Sequence, residues 1–179
     1  MSKRVLITGG NKGIGLAVSR AMLEFGYEII IVARDFDTCP LVGVEKVTCI
    51  EYDLSDVDGL KELAKEVGNI DILINNAGYM QPKYSYDNYP KEARDHIMNV
   101  DLYTPIELMN IFSEHMKKQK YGRIVNTASI AGQIGHPDVW YGMAKAALIN
   151  ATKIYGKLLG AHGITVNCVA PSPTETDMQ

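Results

Sequence analysis

The sequence predicts a doubly wound α/β fold, in which helices cover both faces of a parallel sheet. Short apolar runs alternate with amphipathic stretches along the whole chain, a pattern typical of consecutive β-α-β units. The first apolar run, residues 5–7, ends in a glycine cluster at Gly9–Gly15 that opens a helical pattern. With 179 residues and no internal repeat, residues 1–179 are predicted to form a single domain.

Six runs rich in β-branched and aliphatic residues predict the strands. They are residues 5–7, 28–33, 47–52, 70–75, 123–128 and 164–170. Between the second and third runs, residues 34–46 contain Pro40 and Gly43, so we expect a short or irregular connection there instead of a helix.

Four stretches have helical periodicity. They are residues 14–25 with Gly26 as C-cap, 55–67 with Ser55 as N-cap and Asp58 as its partner, 91–119, and 141–159. Pro105 predicts a kink or a break near Tyr103 in the third of these helices.

Composition excludes several classes of protein. Apolar residues make up 46% of the chain and charged residues 22%, which argues against disorder. The formal charge of −3 gives no reason to expect nucleic acid or an anionic membrane as the main partner. No apolar run is long enough for a membrane span or a signal peptide. Cys39, Cys49 and Cys168 are far apart, so we expect free thiols in a reducing cytoplasm and no zinc site.

Two motifs indicate chemistry. The turn Thr8–Gly15 lies between a strand and a helix, where glycines let the backbone approach a pyrophosphate and the helix terminus offers N–H donors. Its G-x-x-x-G-x-G spacing differs from the usual dinucleotide fingerprint, so a plain structural turn is the alternative. Tyr141 and Lys145 lie one helical turn apart, where a lysine would draw the pKa of a phenol toward neutrality. An ordinary exposed pair is the alternative for them.

Three further polar positions are candidates for a functional site, each with a structural alternative. Ser129 comes just after the fifth strand, at the sheet edge where open α/β sheets bind ligands, although such a serine is more often a turn residue. Asn75–Gly78 ends the fourth strand and flanks the same edge, with a simple turn as the alternative. Asn99 lies among apolar residues and needs a hydrogen-bond partner if it is buried. A packed core asparagine with its hydrogen bonds satisfied is the alternative.

Together these residues resemble the short-chain dehydrogenase/reductase family, in its single-domain, tyrosine-dependent branch. The matching pieces fall in the family's order and cover nearly the whole chain. They are Thr8–Gly15, Asp53, Asn75–Gly78, Asn99, Ser129, Tyr141, Lys145 and the segment 167–171. The resemblance implies a Rossmann fold of three layers, with about six strands in the order 3-2-1-4-5-6.

The resemblance also implies hydride transfer between a nicotinamide cofactor and a carbonyl or alcohol. Tyr141 would be the general acid, Lys145 would lower its pKa and bind the ribose, and Ser129 would hold the substrate oxygen. Asn99 would anchor a water that links Lys145 to solvent. The residues expected to bind the cofactor are Thr8, Gly9, Asn11, Lys12, Gly13, Ile14, Gly15, Arg34, Asp53, Leu54, Asn75, Ala77, Gly78, Tyr141, Lys145, Pro171, Ser172, Thr174 and Thr176.

The preferred cofactor is expected to be NADP(H), with NAD(H) as the alternative. A 2′-phosphate needs cations, whereas a free ribose diol is usually held by an acidic residue at the end of the second strand. That strand ends in Ala33, and Arg34 and Lys12 are placed for a phosphate. Asp35 complicates this interpretation because it offers a carboxylate to Arg34.

The chain departs from the family in two places. Ser172 stands where relatives usually have glycine, so the local turn is expected to differ. Relatives also continue past this point into a substrate-covering segment, a helix and a seventh strand, so the domain is expected to lack them. A low-turnover NADP(H)-binding sensor or regulatory partner is therefore the alternative to an enzyme. Otherwise we expect a small carbonyl or alcohol substrate, no nucleic acid, membrane or metal, and a homodimer or homotetramer.

Overall fold

A computed structural model describes residues 2–80 and 84–174 of the chain, and in it six parallel strands form one sheet. The strands are β1 (Arg4–Thr8), β2 (Glu28–Ala33), β3 (Val47–Glu51), β4 (Ile72–Asn75), β5 (Gly122–Thr127) and β6 (Ile164–Val169). Their order is β3-β2-β1-β4-β5-β6, which confirms the predicted fold class. Each predicted strand is present, with bounds that differ from the prediction by at most two residues.

The central strand β1 lies between β2 and β4, and its residues are almost fully buried. Leu6 is in register with Ile30 on one side and with Leu73 on the other. The winding direction of the sheet reverses at β1, because the chain moves outward to β2 and β3 and then returns to β4. Such a reversal opens a crevice at the carboxyl ends of the strands, where ligands of open α/β sheets bind.

Five α-helices surround the sheet within the described residues. They are α1 (Gly13–Glu24), α2 (Leu60–Val67), α3 (Lys91–Met98), α4 (Thr104–Gln119) and α5 (Val139–Gly160). On one face of the sheet, α2, α4 and α5 bury the main apolar core, which includes Leu6, Leu63, Leu108 and Ile124. On the other face, α1 covers a second core. The sheet is therefore the middle layer of three.

The start of α2 corrects the prediction that Ser55 caps it. The Ser55 N–H is instead bound by the carboxylate of Asp53 at 2.9 Å, and the Gly59 N–H is bound by the carboxylate of Asp56 at 3.2 Å. These local side-chain bonds favour turns over helix through residues 54–59. The helix consequently begins at Leu60, after Gly59.

The long helix predicted over residues 91–119 is interrupted, as Pro105 suggested. A π-helical segment, Asn99–Tyr103, joins α3 to α4, and the Thr104 N–H donates to the Asn99 carbonyl. Pro105 itself lies in the first turn of α4, where its missing N–H costs little. Such wide turns are frequent at functional sites.

Residues 34–46 form turns without a helix, which confirms the predicted irregular connection. No helix in the described part of the chain is long and apolar enough to cross a membrane.

Candidate active site

In the glycine-rich turn between β1 and α1, backbone atoms lie too close together to leave room for side chains. Gly9 and Gly13 have φ values of 63° and 52°, in the left-handed region that favours glycine. A Cβ at Gly15 would lie 2.0 Å from the Gly9 carbonyl oxygen, so only glycine fits there. The Gly9 N–H donates to the Val32 carbonyl at 2.8 Å, which ties the turn to the end of β2.

The first turn of α1 is suited to bind an anion. Its N-cap residue, Lys12, makes no side-chain capping bond, and no acidic residue lies in the first turn. The helix N–H groups and the positive end of the helix dipole are therefore available to a phosphate. The glycine turn leaves its backbone accessible, and the N-terminus of α1 has free N–H groups. Both features fit the pyrophosphate of a dinucleotide.

Thr8 joins this turn to the end of β4. Its hydroxyl oxygen accepts hydrogen bonds from the Asn76 N–H at 3.0 Å and the Ala77 N–H at 3.1 Å. In return, the Asn76 amide donates to the carbonyls of Thr8 and Gly9, at 3.2 and 3.1 Å. These four bonds fix two walls of the crevice against each other.

Tyr141 and Lys145 lie on the first turns of α5 and are both buried. Asp138 caps this helix by accepting the Tyr141 N–H at 3.1 Å. The Lys145 ammonium donates to the Thr127 carbonyl at 3.0 Å and lies 5.6 Å from the centre of the Tyr141 ring. The helix thus presents a phenol and a cation to the end of β5.

Asp101 is the carboxylate partner of Lys145, at 2.9 Å between Oδ1 and Nζ. It lies on the π-helical segment with no exposed surface, and its Oδ2 accepts the Tyr79 N–H at 3.0 Å. Burial raises the pKa of the Asp101 carboxyl, against the lowering effect of the Lys145 ammonium. Asn99 was expected to serve Lys145, but its amide donates to the Ser55 carbonyl at 2.9 Å. The carboxylate beside Lys145 is that of Asp101, and the water that Asn99 would anchor stays a prediction.

A single cleft of about 310 Å³ contains most of the predicted site residues. Those that line it are Gly9, Asn11, Lys12, Gly13, Ile14, Gly15, Arg34, Asp53, Leu54, Ala77, Gly78, Tyr141, Lys145, Pro171, Ser172 and Thr174. The glycine turn, the ends of β2 and β4, and the tyrosine–lysine pair thus share one crevice. Thr176 lies outside the described residues.

Four predicted residues are not among the described residues that line the cleft: Thr8, Asn75, Asn99 and Ser129. Thr8 acts through the bonds given above. The amide of Asn75 donates to the Asn126 side chain at 2.9 Å inside the core, as a structural residue does. Ser129 caps a short 3-10 turn by accepting the Ala131 N–H at 3.1 Å.

Asp101, the buried partner of Lys145, and His96, which lines the cleft, were not among the site residues predicted from the sequence. Asp101 was missed, although a carboxylate between the apolar Val100 and Leu102 is a signal that a buried charge needs a partner. His96 also lines the cleft, with its ring 4.3 Å from that of Tyr79. A lone histidine on a helix carries no sequence signal for this position. His136 lines the cleft as well, with its ring 5.4 Å from that of Tyr141.

The short chain dehydrogenase family profile matches residues 3–179. The chain belongs to this family. It is 32% identical to an acetoacetyl-CoA reductase of Paracoccus denitrificans, over 99% of this chain and 76% of the relative. It is 31% identical to a 3-oxoacyl-(acyl-carrier-protein) reductase of Staphylococcus epidermidis, over 99% of this chain and 78% of the relative.

Solved structures of this oxidoreductase family share the fold. A 4-hydroxyisoleucine dehydrogenase in complex with NADH matches with a TM-score of 0.91 at 26% identity, covering 98% of this chain and 78% of that one. ElxO with NADP bound matches with a TM-score of 0.87 at 30% identity, covering 99% of this chain and 76% of that one. Nicotinamide cofactors of both kinds thus occur among the chain's structural neighbours.

Proposed function

We propose that the chain reduces a carbonyl compound with NADPH and uses Tyr141 as the general acid. One observation carries the proposal: Tyr141 and Lys145 line the same cleft as the glycine turn that fits a dinucleotide. The bound nicotinamide would supply the hydride. Oxidation of the corresponding alcohol is the same reaction in reverse, with the Tyr141 phenolate as the base.

The residues of the chain supply the proton and the orientation. The Tyr141 hydroxyl donates its proton to the carbonyl oxygen as negative charge develops there. Lys145, whose ammonium lies 5.6 Å from the centre of the Tyr141 ring, would bind the nicotinamide ribose. Ser129 accepts the Ala131 N–H, and a hydroxyl that accepts one bond still has its own proton to donate. That proton would hold the substrate oxygen beside Tyr141.

The remaining predicted cleft residues would hold the cofactor. The turn Gly9–Gly15 and the start of α1 suit the pyrophosphate, and Asp53 with Leu54 would flank the adenine. Ala77 and Gly78 offer backbone at the end of β4. Pro171, Ser172 and Thr174 follow β6 at the nicotinamide end.

Cations at the end of β2 support the preference for NADPH. Lys12 and Arg34 are both exposed and line the cleft, and the last residue of β2, Ala33, offers no carboxylate to a ribose diol. Asp35 also lines the cleft, so the comparison with NADH is an informative test. We expect Arg34→Ala to raise the KM for NADPH by about tenfold or more and to leave the KM for NADH nearly unchanged. Equal use of both cofactors by the wild type would contradict this preference.

Exposed apolar residues on α5 support a homodimer or homotetramer. Met143, Ile154 and Leu158 are 46%, 49% and 63% exposed, and Tyr103 just before α4 is 48% exposed. Patches of this kind mark protein–protein interfaces. Light scattering at micromolar concentration is expected to give at least a dimer mass, whereas a monomer across that range would contradict the assembly.

The decisive test of the reaction compares two tyrosine variants. NADPH oxidation is followed at 340 nm with ketones, sugars, steroids and 3-oxoacyl thioesters, the last because two relatives bear reductase names of that class. Tyr141→Phe removes the proposed acid and is expected to lower kcat by about 10²-fold or more. Tyr155→Phe, on the same helix but with its hydroxyl bonded to Asn110, is the matched control and should stay near wild-type rate.

Equal rates in wild type and Tyr141→Phe would reject the assigned acid. Tight NADPH binding without turnover on the whole panel would reject the enzyme and favour the sensor or regulatory alternative.

A further inference from the structure

His136 lies in the cleft beside the proposed acid, yet it has no part in the proton transfer from Tyr141. It is half-buried in the loop between β5 and α5, and the centre of its ring lies 5.4 Å from that of the Tyr141 ring. One small molecule can contact two rings at this separation. The imidazole is therefore a neighbour of the carbonyl group that Tyr141 would protonate.

Two contacts fix the imidazole in place. A Cβ at Gly142 would lie 3.3 Å from the Cβ of His136, so the loop packs closely onto the first turn of α5 because residue 142 has no side chain. On the ring itself, Nδ1 faces the backbone of Asp138, at 3.1 Å from its nitrogen and 3.3 Å from its carbonyl oxygen. A side chain that is held in this way presents the same edge to every ligand.

The backbone of Asp138 selects one tautomer of the His136 ring. A peptide N–H always carries its hydrogen, so Nδ1 can only accept from it. The longer contact, to the Asp138 carbonyl, would require a hydrogen on Nδ1, but that carbonyl already accepts the Gly142 N–H at 3.0 Å. Nδ1 is therefore the acceptor, and the neutral imidazole carries its hydrogen on Nε2.

The Nε2–H group of His136 is a donor that needs an acceptor. Within residues 2–80 and 84–174, the ring is hydrogen-bonded to Asp138 alone, and through Nδ1. Because Nδ1 is turned to the loop backbone, the opposite edge of the ring, which carries Nε2, is the one that a molecule in the cleft meets. An acceptor oxygen on that molecule would satisfy the donor.

The reacting carbonyl cannot supply this acceptor, because its oxygen already has two donors. A carbonyl oxygen has two lone pairs, and the hydroxyl groups of Tyr141 and Ser129 would use both. A third donor beside them requires a second oxygen on the substrate. A second carbonyl one or two carbons along the substrate supplies such an oxygen, whereas a simple ketone does not.

We propose that His136 is a specificity-determining residue whose Nε2–H donates to a second carbonyl oxygen of the substrate, so that the chain prefers 1,2- and 1,3-dicarbonyl compounds to simple ketones. This inference rests on the proposed function, since it names the substrate class of the same site. A site with a donor for a substrate oxygen discriminates against a substrate that lacks this oxygen, because the donor then stays unpaired.

Two substitutions separate the roles of the two ring nitrogens. His136→Asn keeps an acceptor near the position of Nδ1 and removes the Nε2 donor, whereas His136→Gln keeps a donor near the position of Nε2 and loses the Nδ1 acceptor. Each variant is assayed with two substrate pairs of matched shape: ethyl 3-oxobutanoate with 2-heptanone, and 2,3-butanedione with 3-methyl-2-butanone. The intrinsic reactivity of each compound cancels, because the same pair is compared in every variant.

The readout is the ratio of kcat/KM between the dicarbonyl compound and the simple ketone of a pair. We expect His136→Asn to lower this ratio by about five- to tenfold for at least one pair, and His136→Gln to keep it within about twofold. A merely structural role of His136 predicts the opposite order, because only Asn preserves the bond to the loop. His162→Asn, which changes an exposed histidine beyond the end of α5, is the matched control and should leave both ratios unchanged.

Two further readouts need no turnover. Calorimetric titration in the presence of NADP⁺ gives the Kd of each compound, and the preference for the dicarbonyl compound should fall in His136→Asn as the kinetic ratio does. Long-range ¹H–¹⁵N NMR of the ligand-free protein shows which ring nitrogen carries the hydrogen, with the His136 signals assigned through His136→Asn. In the neutral ring, this nitrogen is expected to be Nε2.

The outcomes separate this inference from the proposed function. Unchanged ratios in His136→Asn for both pairs, a larger loss in His136→Gln, or a hydrogen on Nδ1 in the wild type overturns the role of His136 and leaves the proposed reaction intact. A wild type that binds no dicarbonyl compound more tightly than its matched ketone overturns the role as well. Full activity of Tyr141→Phe rejects the proposed acid alone. A wild type that reduces nothing, but whose binding preference falls in His136→Asn, rejects the enzyme and supports the recognition of a second oxygen.

Discussion

Removing the hydroxyl of Thr8 tests whether its hydrogen bonds hold the end of β1 against the residues that follow β4. In Thr8→Val, the side chain keeps its shape but loses the acceptor of two N–H groups, those of Asn76 and Ala77. Thr8 is only 2% exposed, so little water reaches the vacated position. Each buried N–H that loses its acceptor lowers the stability by about 1–3 kcal/mol. Asn76 and Ala77 are only half-buried, so water can partly replace the acceptor and the loss stays below the top of that range. We therefore expect Thr8→Val to lower the free energy of unfolding by about 2–4 kcal/mol.

Urea unfolding of the ligand-free protein measures this cost, and Thr8→Ser provides the control. Serine keeps the acceptor and loses one methyl group, which costs about 1 kcal/mol. Thr8→Val should also weaken NADPH binding by isothermal titration calorimetry, because the loop that follows Asn76 lines the cleft. If Thr8→Val and Thr8→Ser unfold within about 0.5 kcal/mol of each other, the hydroxyl does not hold these two walls together and our reasoning is wrong.

Two further predictions concern the same crevice. Gly15→Ala would place a methyl group 2.0 Å from the Gly9 carbonyl oxygen, so we expect a loss of about 1–3 kcal/mol in thermal unfolding together with loss of NADPH binding; unchanged binding would contradict it. Burial and the neighbouring carboxylates raise the pKa of Tyr52 to about 12 from 10.0, so the unfolded chain ionises first and stability falls as the pH rises from 10 toward 12. Unfolding measured at several pH values should show this fall in the wild type and a smaller one in Tyr52→Phe.

The strands were predictable because each is marked by several neighbouring β-branched or aliphatic residues, all of which indicate the same structure. β2 is buried along almost its whole length and contains the unbroken β-branched run Ile29–Val32, and its predicted and observed bounds agree. The glycine turn was predictable for a related reason: a tight turn between a strand and a helix demands glycine where other residues would clash.

The start of α2 was not predictable from Ser55, because two bonding patterns compete there. Serine followed by an aspartate three residues later suggests a helix cap, yet the Asp53 carboxylate binds the Ser55 N–H first. Short-range rules assign each polar side chain one partner, and they do not rank the partners when several aspartates lie within six residues.

The partner of Lys145 was unpredictable for a different reason. Asn99 and Asp101 are two residues apart, and a regular helix would place them on different faces. Which of them reaches Lys145 depends on the wide turn at Asn99–Tyr103, which periodicity alone does not reveal. The family resemblance supplied the site as a whole, and only the coordinates decided which side chain meets the lysine.

The wide turn also makes the length of this segment matter more than its composition. Removing a single residue between Asn99 and Tyr103 would restore ordinary α-helical phase and rotate everything on one side by about 100° relative to the other. Ile97 could then no longer face α5 while Leu108 faces the sheet, as both now do. A deletion in this stretch should therefore disturb the packing on both sides of it, whereas a substitution at the exposed Tyr103 should not.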